Sequence, residues 1–307
     1  MAEVKGSRIA AIVTGPTASG KTSLAIDLAC HFGTEIVSAD SRQIYKDLPI
    51  GTAAPTTEER SRAFHHLIGT IPLDAYYSAA RFEEDALRIL DGIWQQRDVA
   101  VVCGGSMLYV DALVKGFDDM PQVSDSTRAY VLSMLEQQGP DAVLAQLEIV
   151  DPETFARIDR ANMRRVVHAL EISLEAGVPY SQLCRGQRRE RPFKVLKFAI
   201  DRSREDLFDR INRRVDLMIE QGLEEEARRA LATGDYNSLN TVGYKEMKAM
   251  FEGEMDRETA IARTAKNTRV YAKKQLTWLR RDPDIIWLNP ATAFEDAVHL
   301  IEAERNK

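Results

Sequence analysis

The sequence has little cysteine and no long apolar run. Its three cysteines, Cys30, Cys103 and Cys184, are far apart and lack the paired spacing of a zinc site. Sparse, unpaired cysteine is typical of a reducing compartment, so we expect a cytoplasmic protein. No stretch approaches the roughly 20 apolar residues that a membrane-spanning helix requires, so we expect no membrane partner.

Internal repeats and low-complexity tracts are absent as well, which excludes a solenoid and a largely disordered chain. Of the 307 residues, 44% are hydrophobic and 29% are charged, which are the proportions of an ordinary globular protein. This length supplies enough apolar material for one large domain or two smaller ones.

The net charge of −6 argues against nucleic-acid binding only if charge is averaged over the whole chain. Positive charge is concentrated between Arg263 and Arg281, where seven basic residues and no acidic residue occur. A second concentration, interrupted only by Glu190, comprises Arg185, Arg188, Arg189, Arg191, Lys194 and Lys197. Such local positive charge suits a polyanion, because affinity comes from neutralising phosphates. A solvated helix face is the ordinary alternative.

One motif predicts a phosphate site: residues 15–22 (GPTASGKT) fit the pattern G-x-x-x-x-G-K-[ST]. An apolar run over residues 9–13 precedes the motif and a helix-like segment follows it, which is the usual setting of such loops. Lys21 would contact the terminal phosphate oxygens, and the Thr22 hydroxyl would ligate Mg²⁺. The residues assigned to the loop are Gly15, Pro16, Thr17, Ala18, Ser19, Gly20, Lys21 and Thr22.

Two further strand-like runs end in residues that indicate chemistry. Residues 35–40 end on Asp40, which we expect to face the bound phosphates, since ligands bind at the carboxyl ends of parallel strands. Residues 98–103 are followed by Gly104 and Gly105, where ATPases with this loop normally have a magnesium-holding aspartate. Two glycines permit close backbone approach and do not ligate a metal.

These patterns predict an α/β fold, a P-loop NTPase-like parallel sheet flanked by helices. Residues 118–194 read as successive amphipathic helices without a convincing strand, and we predict that they form a helical insertion domain. The core then comprises residues 1–117 and 195–307. Within it we predict helices over 201–221 and 257–280 and an edge strand over 285–288; the last residues carry no clear signal.

Five ordered motifs together resemble the tRNA dimethylallyltransferase family, also called tRNA isopentenyltransferases. They are the phosphate loop, residues 37–45 (VSADSRQIY), 104–109 (GGSMLY), 241–244 (TVGY) and 272–280 (AKKQLTWLR). The resemblance covers about residues 9–288. It implies transfer of a dimethylallyl group from dimethylallyl diphosphate to N6 of the tRNA adenosine that is 3′-adjacent to the anticodon, with release of diphosphate. It also implies Mg²⁺ as cofactor, no use of ATP, and a monomer.

The resemblance implies roles for individual residues. Asp40 would be the general base that accepts the adenine N6 proton, with a magnesium-binding or helix-capping aspartate as the alternative. Ser106, where the family usually has threonine, keeps the hydroxyl and would orient a substrate. Arg214 would contact the diphosphate. Arg210 and Arg213 compete for that role, and an ordinary surface ion pair is the alternative for Arg214.

The same resemblance implies a site for the tRNA anticodon stem-loop. The residues expected to contact the flipped base and its neighbours are Asp40, Ser41, Arg42, Gln43 and Ser106. Those expected to bind the tRNA backbone and stem are Arg128, Arg164, Arg165, Val166, Val167, His168, Lys273, Lys274 and Arg280. A basic stripe on helix 257–280, which would recognise the shape of the stem, comprises Lys266, Arg269, Lys273, Thr277 and Arg280.

Three other functions share parts of this pattern: a small-molecule or nucleotide kinase, a prenyltransferase acting on free adenine nucleotides, and a non-catalytic RNA-binding protein. The missing strand-end aspartate disfavours the kinase, and the basic helical segments disfavour both enzymes with small acceptors. An RNA-binding protein would leave Lys21 and Asp40 without a purpose. Ala54, residues 47–49 and Gly69 depart from the family pattern, which leaves the loop contacts near residues 45–55 open.

Overall fold

The computed structural model describes residues 8–116, 118, 120–184 and 189–307. The chain forms two compact units: the residues up to Val114 together with Arg191–Lys307, and Lys115–Glu190. The sequence placed the borders of the insertion at residues 118 and 194, whereas the contacts place them at 115 and 190. Two members of the second basic cluster, Arg185 and Arg188, lie outside the described residues.

The described residues of the first unit form one six-stranded sheet. The strands are β1 (Ile9–Thr14), β2 (Ile36–Ser38), β3 (His65–His66), β4 (Val99–Gly104), β5 (Lys194–Ile200) and β6 (Ile285–Leu288). Their order is β3-β2-β4-β1-β5-β6, and every neighbouring pair is parallel. The predicted α/β class, the parallel sheet and the edge strand over 285–288 are confirmed.

Helices flank and connect these strands, as parallel pairing requires. Those of the first unit are α1 (Lys21–Phe32), α2 (Thr57–Arg62), α3 (Ala79–Ile93), α4 (Met107–Lys115), α10 (Arg204–Glu220), α11 (Leu223–Leu231), α12 (Tyr244–Phe251), α13 (Arg257–Leu279) and α14 (Ala293–Arg305). Those of the second unit are α5 (Asp125–Gln138), α6 (Pro140–Val150), α7 (Pro152–Arg157), α8 (Met163–Ala176) and α9 (Tyr180–Leu183). No helix in the described part of the chain is long and apolar enough to cross a membrane.

Strand β1 shows that both faces of the sheet are covered. Ile9, Ala11 and Val13 pack with α1 and α14, whereas Ala10 and Ile12 pack with α3 and α4 on the opposite face. Every residue of β1 is buried. A strand that is buried on both faces reads as a continuous apolar run, which explains the pattern of residues 9–13.

Helix α14 was not predicted from the sequence. Its buried residues Ala293, Ala297 and Ile301 lie four residues apart and pack in the core on the β1 face described above. Two of the three are alanines, so the apolar stripe is weak in the sequence. Packing against the sheet, rather than a strong local pattern, accounts for this helix.

The second unit has a small core of its own. Val131 of α5, Leu147 of α6, and Val166 and Leu170 of α8 are buried together. The described residues of this unit form helices and no strand. The alternation of strand and helix in the first unit is therefore interrupted by a segment with purely helical packing.

A buried ion pair within the first unit joins Arg191, the first residue of this unit after the insertion, to α3. Arg191 Nη2 lies 2.7 Å from Glu83 Oε1 on α3, and the two side chains are only 9% and 7% exposed. The Arg191 guanidinium also donates hydrogen bonds to the backbone carbonyls of Ala112 and Leu113 in α4. Because burial removes water from both charges, loss of one partner would leave the other uncompensated.

Replacing Glu83 by alanine should therefore destabilise the first unit by about 3–5 kcal/mol, since the Arg191 charge would stay buried without its partner. Denaturant unfolding followed by circular dichroism measures this loss. The control is Glu153→Ala, which breaks an exposed pair with Arg157 and should cost less than about 1 kcal/mol. Equal losses in the two variants would contradict the importance assigned to the buried pair.

Candidate active site

The loop between β1 and α1 has the backbone of a phosphate cradle. Gly15 and Gly20 have φ angles of 153° and 98°, and Ala18 has a φ of 65°, a left-handed conformation that non-glycine residues rarely adopt. Helix α1 begins at Lys21, directly after Gly20. Its first backbone N–H groups therefore have no partner within the helix, and they suit an anion at the positive end of the helix dipole.

Three arginines hold three successive residues of this loop. The donor–acceptor pairs are Arg202 Nε to the Ser19 carbonyl at 2.6 Å, Arg210 Nε to the Ala18 carbonyl at 2.8 Å, and Arg214 Nη1 to the Thr17 hydroxyl at 3.1 Å. These contacts come from outside the loop. They stabilise the unfavourable backbone conformation at Ala18.

The contacts distinguish the three arginines considered for diphosphate binding. Arg213 is exposed, and Arg210 is engaged with the Ala18 carbonyl. Arg214 is half-buried and forms no ion pair with any described residue; burial and the charge of Arg210 lower its pKa. Arg210 and Arg214 each donate one hydrogen bond to the loop, and neither forms an ion pair with a described residue. Arg214 differs in its desolvated guanidinium, whose charge a bound anion would stabilise.

Lys21 lies at the centre of this cradle. Its Nζ is 3.4 Å from the Pro16 carbonyl oxygen. Although the side chain keeps partial exposure, the surrounding protein atoms desolvate the ammonium and lower its pKa; the Arg214 charge acts in the same direction, and Cys103 and Asp40 oppose it. An anion bound here would favour the charged form of Lys21.

Gly104 and Gly105 bring three backbone segments together. A Cβ atom on Gly104 would overlap the Ala39 carbonyl oxygen. A Cβ atom on Gly105 would lie 3.3 Å from the Gly15 carbonyl oxygen and 3.7 Å from Lys21 Cε. The predicted reason for the two glycines, close backbone approach, is confirmed. They allow the segment after β2 and the phosphate loop to meet at the end of β4.

The segment after β2 presents a carboxylate at this point. Asp40 Oδ1 accepts hydrogen bonds from the backbone N–H groups of Arg42 (2.9 Å) and Gln43 (3.2 Å). The residues that it caps form a turn and not a helix, so these contacts differ from the helix cap considered as its alternative role. Asp40 Oδ2 has no donor within the described ranges and is available to a substrate. Ser106 Oγ accepts from the Ser41 N–H at 2.8 Å and lies 3.1 Å from Ser41 Oγ, which fixes this segment further.

Arg42 and Gln43, both predicted to contact the flipped base, also bind the backbone of this chain. Arg42 Nη1 donates to the Asn237 carbonyl at 2.9 Å. Gln43 Nε2 donates to the carbonyls of residues 52 and 53 at 3.2 and 3.0 Å, so its amide nitrogen is engaged within the protein. Buried Glu226 accepts from the N–H groups of residues 50 and 51, at 2.8 Å each, and completes the support of this loop.

The phosphate loop fits a magnesium–diphosphate ligand better than a metal held by protein alone. No group of three or more His, Cys, Asp or Glu that could hold a metal occurs among the described residues. Ser19 Oγ is buried in the loop and has no hydrogen-bond partner there, and Thr22 lies in the first turn of α1. Mg²⁺ typically combines one or two protein oxygens with phosphate oxygens and water. The hydroxyl of Thr22 fits such a set.

Helix α13 and its C-terminal cap, Arg280, carry the residues of the first unit that are predicted to bind the tRNA backbone and stem. Lys273, Lys274 and Arg280 are exposed. Lys273 Nζ lies 5.5 Å from the centre of the Phe208 ring, and the Arg280 guanidinium lies 6.0 Å from the centre of the Trp287 ring. Part of the predicted basic stripe therefore packs on aromatic rings of this chain, while Lys274 extends into solvent.

In the second unit, the predicted tRNA-binding residues lie on the first half of α8, apart from Arg128, which lies on α5 with its Nε 4.0 Å from Glu171 Oε1. The exposed ones are Arg164, Arg165 and His168. Although the His168 side chain keeps exposed surface, neighbouring protein atoms desolvate its ring and lower its pKa, and the charges of Arg128 and Arg164 act in the same direction, which favours the neutral form. Val167 is half-buried. Val166 is fully buried in the core of the unit, so its side chain cannot contact RNA, which corrects that prediction.

Comparison with known proteins identifies the family. The family model described as IPP transferase matches residues 43–282. The chain is 48% identical over 279 residues to tRNA dimethylallyltransferase 1 of Phocaeicola vulgatus, covering 91% of this chain and 93% of that protein. This chain belongs to the tRNA dimethylallyltransferase family. Another member, tRNA dimethylallyltransferase 2 of Parabacteroides distasonis, is 47% identical over 289 residues, covering 94% of this chain and 97% of that protein.

Solved structures of two other proteins show that this family member also shares their fold. The full-length tRNA isopentenylpyrophosphate transferase of Bacillus halodurans matches with a TM-score of 0.71 and 32% identity, over 98% of this chain and 97% of that one. A eukaryotic dimethylallyltransferase acting on tRNA matches with a TM-score of 0.80 and 25% identity, over 96% of this chain and 78% of that one. The resemblance read from five sequence motifs is confirmed, and the kinase alternative is not supported.

Two residues that shape the site of this transferase-family member were not predicted from the sequence. Arg202, just after β5, supports the Ser19 carbonyl. Gln275 on α13 is 2% exposed and binds two loops of the site through its amide. The sequence does contain a pattern that indicates burial of Gln275, because this residue falls on the same helical face as Ala272 and Leu279, which are buried. A polar residue at a core position requires a hydrogen-bonding partner.

The close approach at Gly104 predicts the effect of one added methyl group. Gly104→Ala should destabilise the protein by at least about 1–3 kcal/mol, because the Cβ atom would overlap the Ala39 carbonyl and not a flexible side chain. Gly92→Ala is the matched control, since a Cβ atom there meets nothing within 4 Å and alanine favours the helix by about 0.5–1 kcal/mol. Thermal and denaturant unfolding measure both changes. An unchanged or raised stability of Gly104→Ala would refute the close approach.

Proposed function

We propose that this chain transfers the dimethylallyl group from dimethylallyl diphosphate to N6 of the tRNA adenosine 3′-adjacent to the anticodon, and releases diphosphate. The observation that carries the proposal is the meeting of a phosphate loop and a carboxylate with a free oxygen across Gly104 and Gly105. The names of its relatives support it, as does the similar eukaryotic enzyme acting on tRNA. We further propose a monomer in the cytoplasm, in keeping with the sparse cysteines.

The phosphate loop is proposed to bind the leaving group. Negative charge builds on the diphosphate as the bond between its oxygen and the allylic carbon breaks. The N–H groups at the start of α1, together with Lys21 and Arg214, would stabilise this charge without reorganisation, because the arginine contacts already hold the loop in shape. Mg²⁺, held by Thr22 and the phosphate oxygens, would supply further positive charge when bound.

Asp40 is proposed as the general base. N6 of the adenine attacks the allylic carbon, the electron pair of the broken carbon–oxygen bond leaves with diphosphate, and N6 gives its proton to the Asp40 carboxylate. The N–H groups of Arg42 and Gln43 hold Oδ1, which leaves Oδ2 for the proton. Ser106 would orient this segment through Ser41 and would not itself transfer a proton.

The tRNA is proposed to bind through exposed cations and aromatic rings. On α13, exposed Tyr271 and Trp278 lie one helical turn on either side of Lys274. Unpaired bases stack on such rings while cations neutralise the backbone phosphates. The exposed arginines of α8 would add further phosphate contacts. The target adenine must leave the stack to reach Asp40, at a cost of a few kcal/mol.

One assay tests the proposed function directly. The protein is incubated with radiolabelled dimethylallyl diphosphate and Mg²⁺, and with tRNA, AMP or ATP as the acceptor. Label should appear on tRNA alone, and digestion of that tRNA to nucleosides should place it on the adenosine next to the anticodon. Label on AMP, or phosphate release from ATP without prenyl transfer, would overturn the proposal.

Asp40→Asn should lower turnover by roughly 10²- to 10⁴-fold, because the amide keeps the Oδ1 contacts but accepts no proton from N6. Affinity for inorganic diphosphate should be retained. Single-turnover prenyl transfer and calorimetric binding measure the two properties separately. Asp91→Asn, which alters an exposed carboxylate paired with Arg8, is the control and should leave both unchanged. Near-normal turnover of Asp40→Asn would remove Asp40 from the role of base.

Diphosphate binding should be accompanied by proton uptake at alkaline pH. In the free protein, burial lowers the pKa of Lys21, and a bound anion raises it again. Between these two pKa values, binding charges Lys21, so affinity falls as the pH rises through the pKa of the free protein. Calorimetry with inorganic diphosphate in buffers of different ionisation enthalpy measures the uptake. Lys21→Met should abolish it; equal uptake by the variant would contradict the assignment.

Neutralising Lys273 and Lys274 together should weaken tRNA binding and flatten its salt dependence. Each lost phosphate contact lowers the slope of log affinity against log salt by about 0.7–0.9. Filter binding of Lys273→Gln/Lys274→Gln over a series of salt concentrations measures the slope. The control is Lys248→Gln, whose ammonium is paired with Asp235 and should not affect the slope. A double variant with the wild-type slope would contradict this placement of the RNA.

A further inference from the structure

Gln275 bridges two loops that meet at the proposed reaction centre. Its Nε2 donates to the Gly105 carbonyl at 2.8 Å, and its Oε1 accepts from the Thr17 N–H at 3.0 Å. These partners lie 170 and 258 residues away in the sequence. The side chain is 2% exposed, so water competes little for either bond.

The chemistry of the two partners defines the orientation of this amide. The Thr17 N–H can only donate and the Gly105 carbonyl can only accept, so a flipped amide would lose both hydrogen bonds. Gln275 also lies between Ala272 and Leu279 on the buried face of α13. Because Gln275 is held on a rigid helix, the bridge fixes the distance between the phosphate loop and the loop after β4.

The same bridge decides which N–H groups remain for an anion. The Thr17 N–H is bound to Gln275, and the Ser19 N–H is bound to the Pro16 carbonyl at 3.3 Å. The groups at the start of α1 are left for the ligand, because they have no acceptor within the helix. The ligand is thereby directed to the Lys21 end of the loop.

We propose that Gln275 is a positioning residue for prenyl transfer. It sets the distance between the phosphate loop, which binds the leaving group, and the loop after β4, which holds the segment that carries Asp40. The inference rests on the proposed function. Gln275 acts through Thr17 and Gly105 and contacts no reacting atom. A misplacement of the order of 1 Å between reacting groups is enough to lower a rate about 10²-fold.

Gln275→Met tests the bridge, because it keeps the length of the side chain and removes both hydrogen bonds. Its kcat should fall about 10²-fold, while KM for dimethylallyl diphosphate and for tRNA should change by less than about threefold. Thr264→Val is the control: Thr264 is buried in the same helix, and its hydroxyl donates only to the Ala260 carbonyl. The control should keep kcat even where its melting temperature falls as far as that of Gln275→Met.

Gln275→Glu adds a test that a merely structural role would not pass. The ionised carboxylate cannot donate to the Gly105 carbonyl, whereas the protonated acid can donate one hydrogen bond and accept another. The kcat of this variant relative to wild type should therefore rise as the pH falls, and Gln275→Met should show no such recovery. A wild-type kcat in Gln275→Met, or equal recovery in both variants, overturns the inference. No transfer by the wild-type protein would instead overturn the proposed function.

Discussion

The active site depends on the close approach of three backbone segments at the end of β4. A side chain on Gly104 would overlap the Ala39 carbonyl, and one on Gly105 would press on Gln275 and Gly15. Since β4 lies between β1 and β2 in the sheet, this strand end is the point where a group carried by β1 can meet a group carried by β2. Glycine at both positions removes the atoms that would keep them apart.

This constraint explains why a phosphate loop can serve a reaction that transfers no phosphate. In kinases and ATPases with such a loop, the corresponding strand end holds a metal through a carboxylate. In this chain, Gly104 and Gly105 occupy that strand end and allow close backbone contact. The carboxylate, Asp40, follows the neighbouring strand, β2. In the proposed reaction the loop needs only to stabilise a departing anion, for which N–H groups, Lys21 and Arg214 are suited.

The phosphate loop is supported by residues far along the chain. Arg202 and Arg210 follow the insertion, and Gln275 lies on the long helix α13. Their contacts hold a loop that includes a left-handed alanine, Ala18, which would otherwise be unfavourable. Electrostatic stabilisation of a leaving group requires donors that are already in place, and these distant side chains supply that rigidity.

The sequence by itself determined the phosphate loop, the carboxylate at Asp40, the pair of glycines and the family, because each is a local pattern whose chemistry follows from neighbouring residues. The parallel sheet was also predictable, since the buried strands read as apolar runs. Only the tertiary structure decided that Val166 is core, that Gln275 bridges two loops, and that α14 completes the sheet packing. The Gln275 bridge joins residues more than 100 positions apart, α14 presents only a weak stripe of small side chains, and Val166 is buried by other helices of its own unit. No local pattern carries that information.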